Sequence, residues 1–264
     1  MAPQSNRSSS QASAPSPAVA HAAAILRLLA RTTEPYGVTA IARATGISQS
    51  SCFNLLKTLV GEGLLHFDER RKRYAIGLGV LQLARGALGS DAILRAARPI
   101  MDALSKDHEA TVGLWRAGRF ERMTLIALGE STASTRIHME VGQRQPLGAG
   151  AAGRAWLAAS NSTCAEMKDL FAEVRWQRSI SFPAYEASIM AARTNGFAED
   201  REMVNRSIVT MASAIHSLDE TGDASHVLSA SVFAGSRDEA GFARLGGAVA
   251  RAATGLARDS MTER

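Results

Sequence analysis

The stretch Val38-Thr39-Ala40-Ile41-Ala42-Arg43-Ala44-Thr45-Gly46-Ile47-Ser48-Gln49-Ser50-Ser51-Cys52-Phe53-Asn54-Leu55-Leu56-Lys57-Thr58-Leu59, followed by the basic run Phe67-Asp68-Glu69-Arg70-Arg71-Lys72-Arg73-Tyr74, decides how this chain is read. Thr39 can cap a short helix whose Ile41 and Ala42 point inward. Gly46 suits the left-handed conformation that ends a helix, and Ser48 can cap the helix that follows. In that second helix Cys52, Leu55, Leu56 and Leu59 fall at i, i+3, i+4 and i+7, which makes one buried stripe. Its opposite side presents Gln49, Ser50, Ser51, Phe53, Asn54 and Lys57. Two short helices about a glycine turn can lay one of them in a DNA major groove.

A polar helix face is by itself equally well a solvated one. The hairpin that follows favours the groove. Leu64 to Phe67 and Tyr74 to Ile76 read as two short strands, with Asp68 to Arg73 as their turn. Four cations at one tip repel each other unless an anion approaches, and a phosphate backbone is such an anion. On the helix, Asn and Gln can pair bidentately with adenine, serines can donate to phosphates, and Phe53 can touch a thymine methyl. The expected DNA-binding set is Thr39, Ser48, Gln49, Ser50, Ser51, Phe53, Asn54, Lys57, Arg70, Arg71, Lys72, Arg73 and Tyr74.

Outward from this motif, His21 to Ala30 is a helical stretch with Ile25, Leu28 and Leu29 on one face, broken by Glu34-Pro35-Tyr36-Gly37. The first twenty residues hold six Ser, three Pro and five Ala with no apolar run, and residues 1–18 read as a disordered tail rather than a signal peptide. Charge is uneven. Up to Ser90 there are ten Lys/Arg against four Asp/Glu, whereas the remainder has twenty against twenty-one, so the basic excess coincides with the motif. With Cys52 and Cys164 the only cysteines, and no CxxC or HExxH spacing, neither a disulfide framework nor a metal site is expected. A reducing cytoplasm fits. No segment approaches the roughly 18 to 20 apolar residues of a membrane span.

Residues 19–78 thus form a winged helix-turn-helix, 79–91 a connector helix with Leu78, Leu81 and Leu88 among small residues, and 92–264 a larger domain. In the last, a helix is expected over Ala92 to Asp107. Strand-like runs cover Thr111 to Trp115, Met123 to Leu128, Thr135 to Val141, Ile208 to Ile215 and Val227 to Phe233. Helical stretches cover Gly153 to Ala159, Pro183 to Asn195 and Ala240 to Ala257. The mixture is α+β, a sheet with helices packed against it.

Taken together, the motifs resemble the IclR-type bacterial transcriptional regulators. The first half carries Val38-Thr39, Ile41-Ala42, Gly46-Ile47-Ser48, Ser50-Ser51, Leu55-Leu56, Thr58-Leu59, Gly63-Leu64 and Arg73-Tyr74-Ala75-Ile76-Gly77-Leu78. The second half carries Gly142-Gln143-Arg144-Gln145-Pro146-Leu147-Gly148-Ala149, Gly153, and Ala192-Arg193 through Gly196-Phe197-Ala198-Glu199-Asp200 to Glu202. Thr210 to Ile215 and Ser229-Ala230-Ser231 extend the match over about residues 19 to 235. Asn54 departs from the arginine usual in that family, Thr210 from its cysteine and Ala214 from its proline. The resemblance implies a GAF-like effector-binding domain with a mostly antiparallel sheet, and assembly as a homodimer or dimer of dimers on a pseudo-palindromic operator. It also implies a small organic-acid or aromatic effector, control of catabolic genes, and a pocket that involves Leu147, Ala151, Ala152, Asp200, Thr210, Met211, Ser229 and Ser231. No catalytic residue and no cofactor is implied.

Two other functions fit less well. Gly148, Gly150 and Gly153 satisfy G-x-G-x-x-G, but the polar, proline-containing Gly142 to Pro146 is not the hydrophobic strand that must precede a dinucleotide-binding turn in an oxidoreductase. An architectural DNA binder without a ligand would not need so long a carboxy-terminal half. There is no G-x-S-x-G. His138 and His216 can donate to a bound carboxylate, and Arg136, Arg144 and Arg154 read as surface groups or interdomain pairs, since arginines are mostly exposed.

Overall fold

The computed structural model describes residues 16–32, 34–88, 92–118, 122–131, 133–218 and 224–262. Most of the tail expected over residues 1–18 lies outside the described residues. The chain divides into two compact units, Met1–Ser90 and Asp91–Arg264.

The first unit begins with α1 (Pro17–Ala30), which starts four residues ahead of its apolar pattern because Pro17 fits the first helical turn. α2 (Val38–Thr45) ends at Gly46, whose φ of 70° supplies the left-handed turn. α3 (Gln49–Gly61) follows, with Ser48 as its cap. Strands β1 (Leu65–Asp68) and β2 (Arg73–Ile76) pair antiparallel, Leu65 opposite Ile76 and Asp68 opposite Arg73. Tyr36 exchanges backbone hydrogen bonds with Tyr74 at 2.8 and 3.0 Å, which fastens the α1–α2 loop to the hairpin. One core of Ile25, Leu29, Ile41, Ile47, Cys52, Leu56, Leu59 and Leu65 unites these elements; Leu55 of the expected stripe sits at its margin. α4 (Gly79–Leu88) closes the unit, with Leu78, Leu81 and Leu83 exposed at 81%, 61% and 64%.

The second unit is a six-stranded antiparallel sheet of order β5-β4-β3-β8-β7-β6 with helices on both faces. Its strands are β3 (Thr111–Ala117), β4 (Arg122–Gly129), β5 (Arg144–Pro146), β6 (Ala198–Arg201), β7 (Ile208–Leu218) and β8 (Ala224–Phe233). Alternation sends Val112, Leu114, Val209, Met211, Leu228, Ala230 and Val232 to one face. There α5 (Ala92–Asp107) and α9 (Glu239–Thr262) cover them with Met101, Leu104, Leu245, Val249 and Leu256. Trp115, Met123, Leu125, Ala212, Ala214 and Val227 turn to the other face. That face is covered by α6 (Gly150–Ala159), α7 (Cys164–Ala172) and α8 (Phe182–Asn195). A register shift between Leu114 and Trp115 skips Ile126, so Leu125 and Ala127 serve opposite cores although they are two residues apart.

Four elements differ from expectation. No strand forms over 135–141, because the outer edge of β4 is occupied by β5 and by Gly142 and Gln143, whose backbones bond Leu125 at 2.7 and 3.0 Å. The two short edge strands, β5 and β6, were not anticipated; the former contains Pro146, tolerated at an edge, and the latter reads Ala-Glu-Asp-Arg, too polar to signal a strand. α7 was also missed, although Thr163 and Glu166 form a reciprocal capping box at its start.

Candidate nucleic-acid interface and effector pocket

On α3 the backbone capping bond is made by Ser48, whose oxygen accepts from the Ser51 amide at 3.3 Å and whose hydroxyl donates to that of Ser51 at 2.9 Å. Gln49 Nε2 donates to Thr39 Oγ1 at 3.3 Å and bridges the two helices. Thr39 is therefore not the cap of α2: that helix starts at Val38 behind Gly37, with no side-chain cap. Ser50, Ser51, Phe53, Asn54 and Lys57 are exposed together, opposite Cys52, Leu56 and Leu59.

The wing tip is organised by an acid. Asp68 Oδ1 accepts from the amides of Arg70 and Arg71 at 2.9 and 3.0 Å, and these bonds hold its carboxyl below the usual carboxylate range. Its second oxygen lies 4.0 Å from Arg71 Nε. Lys72 adopts a φ of 52° that closes the turn and sets its ammonium 5.8 Å from the centre of the Phe67 ring. Arg73 Nη1 donates to Pro35 O at 2.8 Å. Three of the four cations at the tip, Arg71, Lys72 and Arg73, thus have side-chain contacts within the unit, so their mutual repulsion does not by itself demand an outside anion. Tyr74 is a correction: only 6% exposed, it stacks on Phe67 with ring centroids 4.6 Å apart and belongs to the core, not to a contact surface.

In the second unit the register of β3, β8 and β7 sets Trp115, Ser229, Ser231 and Thr210 side by side on the face toward α6. They floor a cavity of about 210 Å³, with Ala149 to Ala152 at the start of α6 above it. The walls come from Ile137, His138, Met139, Gln143 and Gln145 on one side, and from Asp200, Val204, Asn205 and Ile208 on the other. Trp115 Nε1 donates to Ser229 Oγ at 2.9 Å, and the hydroxyls of Thr210 and Ser231 share a 2.9 Å bond. Ala149 stands at the N-cap position of α6 and has no side chain to cap with. The first amides of that helix have no partner within it, and the residues that carry them line the cavity.

The glycines of the dinucleotide-like pattern have other work. Gly150 opens α6 with a φ of 61°, and a Cβ on Gly153 would lie 2.4 Å from the Gly148 carbonyl carbon. They allow a tight turn and seat α6 on its own lead-in. The strand before them is three residues long and antiparallel to its neighbour, not the parallel strand of a dinucleotide-binding unit.

A buried ion pair joins α6 to the Asp200 wall of the cavity. Arg154 Nη1 is 2.8 Å from Asp200 Oδ1 and 3.1 Å from Glu199 O, with side chains 2% and 6% exposed. The other Asp200 oxygen accepts from the Val204 amide at 3.2 Å. The guanidinium carbon sits 5.3 and 5.6 Å from the rings of Tyr185 and Trp176. Burial pushes the Tyr185 phenol well up, and its hydroxyl donates to Gly148 O at 2.8 Å.

Six of the eight residues expected at the pocket line it: Ala151, Ala152, Asp200, Thr210, Ser229 and Ser231. Leu147 and Met211 do not. Leu147 packs in the core beneath α6, and Met211, one residue past Thr210, points through the sheet into the α5–α9 core. Arg154, read as a surface or interdomain group, is buried within one unit. His138 borders the cavity, whereas His216 borders a separate one of about 130 Å³. Trp115, Val204, Asn205 and Ile208 were missed, and only the tryptophan carried a signal, as a large ring at the end of an apolar run.

Residues 18–69 match the IclR helix-turn-helix domain, and residues 85–258 match the bacterial transcriptional regulator IclR C-terminal domain. The chain belongs to the IclR family. It is a DNA-binding transcriptional regulator of that family. Among relatives of the IclR family, the glycerol operon regulatory protein of Streptomyces coelicolor is 26% identical over 198 residues, which are 74% of this chain and 77% of that protein. The Escherichia coli regulator KdgR is 24% identical over 173 residues, 63% of this chain and 64% of its own. An IclR transcriptional regulator from Alicyclobacillus acidocaldarius shares the fold with a TM-score of 0.75 at 23% identity, over 93% of this chain and 99% of that one. An IclR homologue from Microbacterium hydrocarbonoxydans, solved in complex with 4-hydroxybenzoate, shares it with a TM-score of 0.73 at 15% identity, over 93% and 99%. These relatives of the IclR family are regulators rather than enzymes. Among the described residues, no helix is long and apolar enough to cross a membrane, and no group of three His, Cys, Asp or Glu is placed to hold a metal ion.

Proposed function

We propose that this regulator controls catabolic genes by binding a pseudo-palindromic operator as a homodimer, or as a dimer of dimers. In this reading α3 enters the major groove and the wing lies along the backbone. A small organic acid or aromatic acid in the α6-roofed cavity shifts the balance between conformations of different DNA affinity. The observation that carries the effector reading is the cavity itself: a space of small-molecule size lined by the first residues of α6, which has no side-chain cap, and by Thr210, Ser229 and Ser231 of the sheet. Asp200 does not oppose an anion there, since Arg154 balances its charge. The homologue solved with 4-hydroxybenzoate is consistent with this class of ligand. Exposed Leu78, just before α4, and Leu81 and Leu83 on it support self-association, because exposed apolar residues clustered in so short a segment favour a covering partner.

The test is calorimetric titration of the full chain with a panel of aliphatic acids and hydroxybenzoates, alone and with operator DNA selected from a random pool. At least one acid should bind saturably, and its effect on DNA affinity should equal the effect of DNA on its own affinity. Thr210→Val should weaken that acid without changing DNA affinity in its absence. A panel that neither binds nor alters DNA affinity would leave a DNA binder without an effector of this class.

A further inference from the structure

α3 carries a large apolar side chain on a face otherwise polar. Phe53 is 51% exposed and belongs to no part of the core. Ser50, Asn54 and Lys57 stand at i−3, i+1 and i+4 from it and are exposed with it, so the four form one continuous stripe. Other polar groups nearby are committed within the protein: Ser48 to Ser51, and Gln49 to Thr39. The side chains of Asn54 and Lys57 make no hydrogen bond or ion pair among the described residues; only the backbone carbonyl of Asn54 is used, by Thr58. What this stripe offers outward is therefore an aromatic ring, an amide with one donor and one acceptor edge, and a cation.

These groups match one chemical target. In the major groove the thymine methyl is the one apolar feature, the adenine N6 and N7 pair is the complement of a carboxamide, and a phosphate flanks both. We propose that Phe53 and Asn54 are the specificity-determining pair of α3: Phe53 packs on the 5-methyl of a thymine, and Asn54 bonds the adenine of a neighbouring base pair. Lys57 neutralises an adjacent phosphate. This rests on α3 being the groove helix, and it deepens that reading by assigning a thymine and an adenine to each half-site. The stripe is this chain's own, since neither the ring nor the amide is fixed by the helix-turn-helix framework.

The test uses the full chain and a duplex selected from a random pool. Each thymine of the half-site is replaced in turn by deoxyuridine, which removes only the methyl, and each adenine by 7-deazaadenine, which removes only N7. For the unsubstituted protein one deoxyuridine position should weaken binding about fourfold, the value of one buried methyl group. One neighbouring deaza position should weaken it on the order of tenfold. Phe53→Ala should abolish sensitivity to the first change, Phe53→Leu should retain part of it, and Asn54→Ala should abolish sensitivity to the second. Deoxyuridine that is neutral at every position, or that weakens Phe53→Ala as much as the parent, would overturn the methyl assignment. A 7-deaza effect that persists in Asn54→Ala would overturn the adenine assignment. A pool from which no sequence is enriched would instead defeat the groove-helix reading itself, so the two failures are separable.

Discussion

The exposed α3–wing surface and the α6-roofed cavity are built differently: one is drawn from a single run of residues 48–73 and the other from four segments spread over residues 115–231. In the first, side chains reach outward and local rules set their direction: a cap at Ser48, a turn at Gly46, an acid at the wing tip. In the second, the floor is a matter of strand register, and the roof is backbone. The two arginine environments show the same contrast. The Arg70 side chain is exposed and makes no hydrogen bond or ion pair among the described residues, whereas that of Arg154 is buried on Asp200 beside two aromatic rings. A cation at the wing is available to a partner; the one on α6 serves the protein's own interior.

The largest effect that can break this contrast is on Arg154. Arg154→Met leaves Asp200 buried without its cation and should destabilise the second unit by about 3–5 kcal/mol in urea unfolding. Arg154→Met combined with Asp200→Leu should recover most of that loss; a double variant no more stable than the single would mean that the ion pair is not what the site depends on. Ser48→Ala should cost about 1 kcal/mol, confined to the first unit, through loss of the α3 cap. Equal loss in the second unit's transition would argue against independent units.

At the wing the measurement is the salt dependence of DNA binding. Arg70→Ala should reduce the slope of log affinity against log salt by about one. Arg73→Ala, which removes the bond to Pro35, should weaken binding with a smaller change in slope, because the loss is one of wing placement. Equal slope changes would return Arg73 to the phosphate-contacting set. The smallest effect concerns pH. Burial, and then the nearby Arg237, hold the His108 pKa below 6.5 in the folded state. The unfolded chain therefore takes up a proton first. The contribution to stability is present above pH 6.5 and is lost as the pH falls through that value toward the lower folded pKa. His108→Asn should flatten this part of the stability profile of the second unit, and an unchanged profile would remove His108 as its source.

The periodicity of α3 and the turn residues around it were legible because each rests on contacts within a few residues. Tyr74 was misread for the same reason: its place beside four cations pointed outward, while its pairing with Tyr36 and its stack on Phe67 turned it into the core. In the second unit the resemblance groups six residues that line one cavity, yet it sets Met211 with Thr210. Adjacent strand residues face opposite sides, and only the register against β8 shows which side is the cavity.

By itself the sequence determined the winged helix-turn-helix and the α+β class of the larger unit, since caps, turns and periodicities are local. The tertiary structure alone decided which hydroxyls share the cavity floor, that Trp115 joins them, that Arg154 is buried on Asp200, and that Arg73 ties the wing to Pro35. Each of those depends on the register of strands or the docking of loops far apart in the chain, where the free energy is set by packing that no short window of residues contains.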